Sequence, residues 1–173
     1  MIGPDGSTTV LPGPLQPGGI AASPDGSIVV AIGVRGRQLI AFQADGRVIG
    51  SASCGAGPTH VTAGSGGLFW VADTNGGAVL GFRIGARGPH QVARIVVGKR
   101  PYGLAYDAVR DMLWVTLTAT NQLVGLHLRN TMVLGRMTYQ TVRQPNSVAV
   151  DPSTGGLVVT GSDPAGAIEL IGD

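Results

Sequence analysis

Few side chains in this sequence have the chemistry to act on another molecule or to hold one. There are three histidines (His60, His90 and His127), one cysteine (Cys54), one glutamate (Glu169), one lysine (Lys99), nine aspartates and eleven arginines. A lone cysteine excludes an intrachain disulfide and a thiolate metal cluster. No Gly-rich phosphate loop, nucleophile elbow or histidine–glutamate metal motif is present. The reading therefore assigns no catalytic residue, no metal ligand set and no cofactor. The net charge of +2 is small, and basic and aromatic residues are not interleaved in one stripe, so nothing marks a nucleic-acid surface. No apolar run approaches the roughly 18 residues of a membrane helix. No signal peptide is visible, since Met1 runs directly into the turn sequence Ile2-Gly3-Pro4-Asp5-Gly6.

The elements that must position these groups come from a repeat. Pro17, Pro58, Pro101 and Pro145 stand 41, 43 and 44 residues apart, and each opens the same phrase. A short strand of small residues follows each proline: Ile20-Ala21-Ala22, Val61-Thr62-Ala63, Leu104-Ala105-Tyr106, Val148-Ala149-Val150. After a Gly/Asp turn comes a heavier strand: Ile28-Val29-Val30, Phe69-Trp70-Val71, Leu113-Trp114-Val115, Leu157-Val158-Val159. A third strand ends in Phe42, Phe82, Leu126 and Leu170. A strand-rich period of 40–45 residues is the mark of blade repeats, each a small sheet that cannot bury its faces alone. The fold class is all-β: a β-propeller of about four blades, each of four antiparallel strands, forming one domain over residues 1–173.

The blades are expected at about 16–54, 55–97, 98–140 and 141–173 plus 2–11. Outer strands are read at Arg47–Ser53, Gln91–Val97 and Val133–Tyr139. The fourth unit stops before its outer strand. Ile2–Gly6 reads as a third-strand end plus its turn, and Ser7–Leu11 as an outer strand that would complete the last blade. Open sheet edges invite association, so the ends should meet. Closure within one chain gives a monomer; closure between two gives an eight-bladed homodimer; a piece of a longer propeller is the third possibility.

In such a ring, the loops entering the first strand share one mouth with the loops between second and third strands. That mouth gathers Arg35, Arg37, Lys99, Arg100 and Arg143 against Asp73 and Asp163. The other gathers Asp5, Asp25, Asp45, Asp107, Asp111 and Asp151, offset by Arg47, Arg83, Arg87, Arg110 and Arg129. Clefts of one sign concentrate counter-ions. The candidate ligand-binding residues are Arg35, His60, Asp73, Arg100, Tyr102, Asn121 and Asn146, for a small anionic molecule or a partner protein. The plainer reading of these groups is solvated loop charge and turn chemistry. The three histidines fall at different phases of the repeat, with His90 read in a third-to-fourth-strand turn and His127 at the end of a third strand. Converging metal ligation is not expected from them. Glu169 replaces Ala41, Gly81 and Gly125, and is either a site or a group that reaches water. Trp70 and Trp114, at one phase, are read as core between blades.

Pro101-Tyr102-Gly103-Leu104-Ala105-Tyr106-Asp107 followed by Leu113-Trp114-Val115-Thr116 resembles the repeats of bacterial YVTN/YncE-like and NHL-like propellers. So do Asp151-Pro152-Ser153-Thr154-Gly155 with Leu157-Val158-Val159-Thr160, and Gly57-Pro58 through Phe69-Trp70-Val71-Ala72-Asp73. The resemblance covers nearly the whole chain and implies a binding or interaction module, in bacteria often an extracytoplasmic one. It also implies two alternatives: a metal-dependent lyase or hydrolase similar to streptogramin B lyases and propeller lactonases, or a structural fragment of a longer exported propeller. The chain departs from these groups in carrying about four repeats where six to eight are usual.

Overall fold

The computed structural model describes residues 6–172. Fifteen strands form four antiparallel sheets that follow one another as the blades of a β-propeller. The first blade is β1 (Pro17–Ala22), β2 (Ile28–Gly33), β3 (Gln38–Gln43) and β4 (Val48–Ser53). The second is β5 (Pro58–Ala63), β6 (Leu68–Asp73), β7 (Ala78–Gly85) and β8 (Gly88–Val96). The third is β9 (Pro101–Asp107), β10 (Met112–Leu117), β11 (Gln122–Arg129) and β12 (Met132–Gln140). The fourth holds β13 (Pro145–Val150), β14 (Leu157–Gly161) and β15 (Ile168–Ile171). Every repeat expected from the prolines is therefore a sheet, and every proline opens its innermost strand.

Three apolar clusters join the blades in series. Val30, Ile32, Leu39, Phe69, Val71 and Leu80 fill the space between blades one and two. Leu68, Trp70, Val79, Leu113, Val115 and Val124 fill the next. Met112, Trp114, Leu123, Leu157 and Val159 fill the third. Each of β6 and β10 is buried along its whole length, because it has a sheet on both faces. Cys54 is sealed in the first cluster, and burial, helped by the Asp73 carboxylate, pushes its thiol up to about 12.

Among the described residues the fourth sheet holds the strands β13, β14 and β15, and of residues 7–11 Thr8 forms a single β-bridge. The segment that follows packs on blade one. Pro14 and Leu15 pack against Gly33 at the end of β2, and Val34 donates its backbone N–H to the Gln16 carbonyl at 2.9 Å. The N-terminal segment is thus tied to blade one. Among the described residues, blade four packs on blade three, and no comparable packing sets it against blade one. The third-strand reading of Ile2–Asp5 lies outside the described residues.

Candidate functional site at the channel mouth

The four inner strands share a defect. In each pair of inner and second strands the ladder slips just after the proline, or opposite that point. A bulge of this kind unpairs one or two residues and re-aims their side chains. The residues inside it are Gly18, Thr59-His60, Tyr102-Gly103 and Asn146. Three of the sequence candidates, His60, Tyr102 and Asn146, lie within these bulges.

A second recurrence fixes the loops around them. The residue before each proline offers its carbonyl to the first residue past the second strand. Val34 bonds Gln16, Thr74 bonds Gly57, Thr118 bonds Arg100 and Ser162 bonds Gln144, at 2.9 to 3.1 Å. These carbonyls are aimed by a left-handed backbone: Gln16 has φ 53°, Arg100 57° and Gln144 49°. Non-glycine residues are strained there. At the same mouth Arg37 (φ 50°) and Asn121 (φ 54°) precede the third strands in the same conformation.

A cavity of about 490 Å³ opens between the mouth loops of blades three and four. Its lining is Arg100, Tyr102, Thr118, Gln144, Asn146 and Ser162, with Ala119 at the edge. Among the described residues, the Arg100 guanidinium makes no hydrogen bond and no ion pair. Tyr102 leans on His60 of blade two, with ring centroids 4.8 Å apart and planes 55° apart. The His60 Nδ1 is buried without a partner, and burial pulls the imidazole below its ordinary value, so His60 is neutral at pH 7. It is an apolar wall behind Tyr102, not a cation at the mouth. Gly103 follows because the next inner strand is so close: a Cβ there would meet the Asn146 carbonyl at 2.7 Å.

The remaining sequence candidates fall outside this cavity. Asp73 is buried, and its Oδ1 accepts the backbone N–H groups of Ala56, Gly57 and Gly76 at 3.0, 2.8 and 3.1 Å. It ties two mouth loops together. Asn121 accepts the Gln144 N–H at 2.9 Å, which positions a lining residue without reaching the cavity. Arg35 is exposed on blade one and stands apart. Arg143 and Asp163 pair at 3.4 Å, which leaves Arg35, Arg37, Lys99 and Arg100 as the uncompensated charges of this mouth. Thr118, Gln144 and Ser162 were not read as site residues. Their signal lay in the repeat alignment, since they share phase with Arg100 and its hydrogen-bond partner.

His90 lies inside β8, paired with Arg83, and not in the turn before it. His127 lies on β11 and faces outward. Among the described residues, no group of three His, Cys, Asp or Glu side chains converges as a metal site would require. Glu169 is half-buried and occupied: it accepts the Val142 N–H at 2.9 Å and the Thr141 hydroxyl, joining β15 to the loop that enters β13.

No protein-family profile matches the chain, and no curated protein matches it in sequence. Solved structures do match in fold. Hydrazine synthase from Kuenenia stuttgartiensis superposes with a TM-score of 0.81 at 19% identity, over 95% of this chain and 48% of that one. The dihydro-heme d1 dehydrogenase NirN gives 0.72 at 17% identity, over 90% and 34%. A streptogramin B lyase gives 0.66 at 13% identity, over 91% and 55%. These likenesses establish a β-propeller repeat fold. The chain spans about half the length of the solved structures it matches, or less.

Proposed function

We propose that this chain is a binding module that takes a small anionic molecule at the mouth between blades three and four. The observation that carries the reading is the unpaired Arg100 guanidinium over a cavity lined by Tyr102, Gln144, Asn146, Thr118 and Ser162. One cation fixes an anion; an aromatic face and several hydroxyl and amide groups orient it. The strained backbone at Arg100 and Gln144 supports it, since such strain persists where the surroundings enforce it and clusters at ligand sites. Membership of the YVTN/YncE-like or NHL-like propellers and an extracytoplasmic role in a bacterium belong to the same proposal. They rest on the repeat phrases alone.

The lyase reading finds less support. Likeness to streptogramin B lyase is a likeness of fold, and His60, His90 and His127 occupy three separate surroundings.

Calorimetric titration with citrate, inorganic phosphate and an oligoglutamate peptide tests the proposal. Citrate or phosphate should bind, more weakly as salt rises, and Arg100→Gly should lower the affinity at least tenfold. Because φ at Arg100 is 57°, glycine is at ease there, so the melting temperature should hold or rise. Binding of the peptide alone would make an acidic partner protein the ligand. Titrations in which the variant behaves like the parent would overturn the proposal.

A further inference from the structure

The mouth cavity between blades three and four has a hydrogen-bonding polarity that its composition alone does not reveal. An amide side chain carries an acceptor oxygen and a donor nitrogen, and here the oxygens are taken. Asn146 Oδ1 accepts the Thr160 hydroxyl at 3.4 Å, and Gln144 Oε1 accepts the Ser162 hydroxyl at 3.3 Å. Among the described residues the two amide nitrogens have no partner, and neither has the Arg100 guanidinium. The Thr118 hydroxyl spends its proton on the Arg100 carbonyl at 3.1 Å. The groups left to meet a ligand are thus chiefly N–H donors, and they come from two sides. Arg100 stands at the entry to β9, and Gln144 and Asn146 at the entry to β13.

Negative charge is missing from the same place. Among the described residues no carboxylate lines the cavity. Asp163, next to Ser162 in the chain, is engaged by the Arg143 side chain at 3.4 Å and by the Ala165 N–H at 2.9 Å. Asp73 spends its Oδ1 on three backbone N–H groups. An ammonium group in this cavity would face Arg100 and amide N–H groups, with no anion to answer it. A site rejects a ligand through such unanswered groups as much as it selects one through paired groups. Tyr102, held against His60, adds an apolar wall along which a short carbon chain can lie.

We propose that the ligand of this cavity is a short dicarboxylate without an amino group, one carboxylate on Arg100 and the other on the amide nitrogens of Gln144 and Asn146. The guanidinium fork matches a carboxylate with paired N–H bonds, and the two amides donate to the second carboxylate. The assignment rests on the mouth reading above and narrows it. The second donor pole separates a dicarboxylate from a monocarboxylate. The missing anion separates it from an amino acid with the same two carboxylates. Arg100 is then the anchor, and Gln144 and Asn146 set the specificity.

Calorimetric titration of the 173-residue protein with glutarate, L-glutamate and pentanoate tests it, since the three share one chain length and differ in the second carboxylate or the amino group. Glutarate should bind, and glutamate and pentanoate should each bind about tenfold more weakly or worse. Asn146→Asp keeps the shape and the acceptor oxygen but exchanges the donor nitrogen for a carboxylate oxygen. Glutarate affinity should then fall about tenfold, and the preference over glutamate should disappear. Asn146 is half-buried at the mouth, and an unchanged melting temperature checks that the variant keeps its fold. Glutamate bound by the parent as tightly as glutarate would overturn the proposal and leave the mouth reading standing. So would binding of citrate or phosphate with no preference for glutarate over pentanoate, or an Asn146→Asp variant with the parent's selectivity. If citrate, phosphate and glutarate all fail to bind, the mouth reading falls and the dicarboxylate assignment falls with it.

Discussion

Trp70 and Trp114 occupy the same position of the same strand in neighbouring blades, yet they live in different surroundings. Trp70 is sealed between blades two and three, under Gly81 and Ala93 of its own blade. Trp114 packs on blade four and leans on Tyr139 at 6.2 Å, at the wall of the open groove. The strand phrases are nearly interchangeable and both indoles are buried, but Trp70 is 0% exposed and Trp114 7%. In a repeat protein each unit is stabilised by its neighbours, so a residue's weight depends on where its repeat stands in the row.

The largest effect should come from cutting at the sealed position. Trp70→Ala should cost about 3–5 kcal/mol, the usual range for emptying a packed aromatic site. That is a large share of the roughly 5–15 kcal/mol that holds a domain together. Trp114→Ala should cost measurably less, because Trp114 is 7% exposed and lines an open groove. Urea unfolding of both variants makes the comparison. Equal costs would mean that Trp114 is sealed as fully as Trp70, and the contrast between inner and end blades would fail.

A smaller effect separates scaffold from site within the mouth. Asp73→Ala strands the N–H groups of Ala56, Gly57 and Gly76 and should cost about 2–4 kcal/mol. Arg100→Gly should cost nothing. If Asp73→Ala leaves the midpoint unchanged, the carboxylate is not the tie that its three bonds describe.

How far the sequence carried follows from the same contrast. The prolines, the Gly/Asp turns and the strand phrases such as Leu113-Trp114-Val115 repeat because every blade needs them, so the four sheets could be read directly. The fate of residues 7–11 could not. Their phase was legible, but whether a fourth blade stands beside blade one depends on the turn between blades, which no residue type encodes. The mouth was half legible. Arg100, Tyr102 and Asn146 carry distinctive groups at the right phase and do meet. Asp73 carries an equally distinctive group but spends it on backbone, and that shows only in three dimensions. His60 looked like a ligand, and burial makes it a neutral wall.

The smallest effects are in pH, and they fall in two windows that belong to different parts of the molecule. His60, between blades two and three, has a folded value depressed by burial below the ordinary 6.5. As pH falls below about 6.5 the unfolded chain takes up a proton that the folded chain refuses, so stability declines with acid. His60→Phe should flatten that slope while keeping the ring against Tyr102. Asp25, in the β1–β2 turn of blade one, is held down to about 2, first by the Ser23 hydroxyl and then by the Ser27 N–H and hydroxyl. Asp151, in the matching turn of blade four, is lowered by Ser153 and Thr154. Their contribution is complete above about 3.8 and is lost as pH falls toward 2. Amide hydrogen exchange followed by pH can tell the windows apart. Between pH 6.5 and 5, loosening should centre on β5 and β9; between pH 4 and 2, it should spread from the turns of the end blades. Loosening of the end blades first, already near pH 6, would show that the weak point is the uncovered face and not the buried histidine.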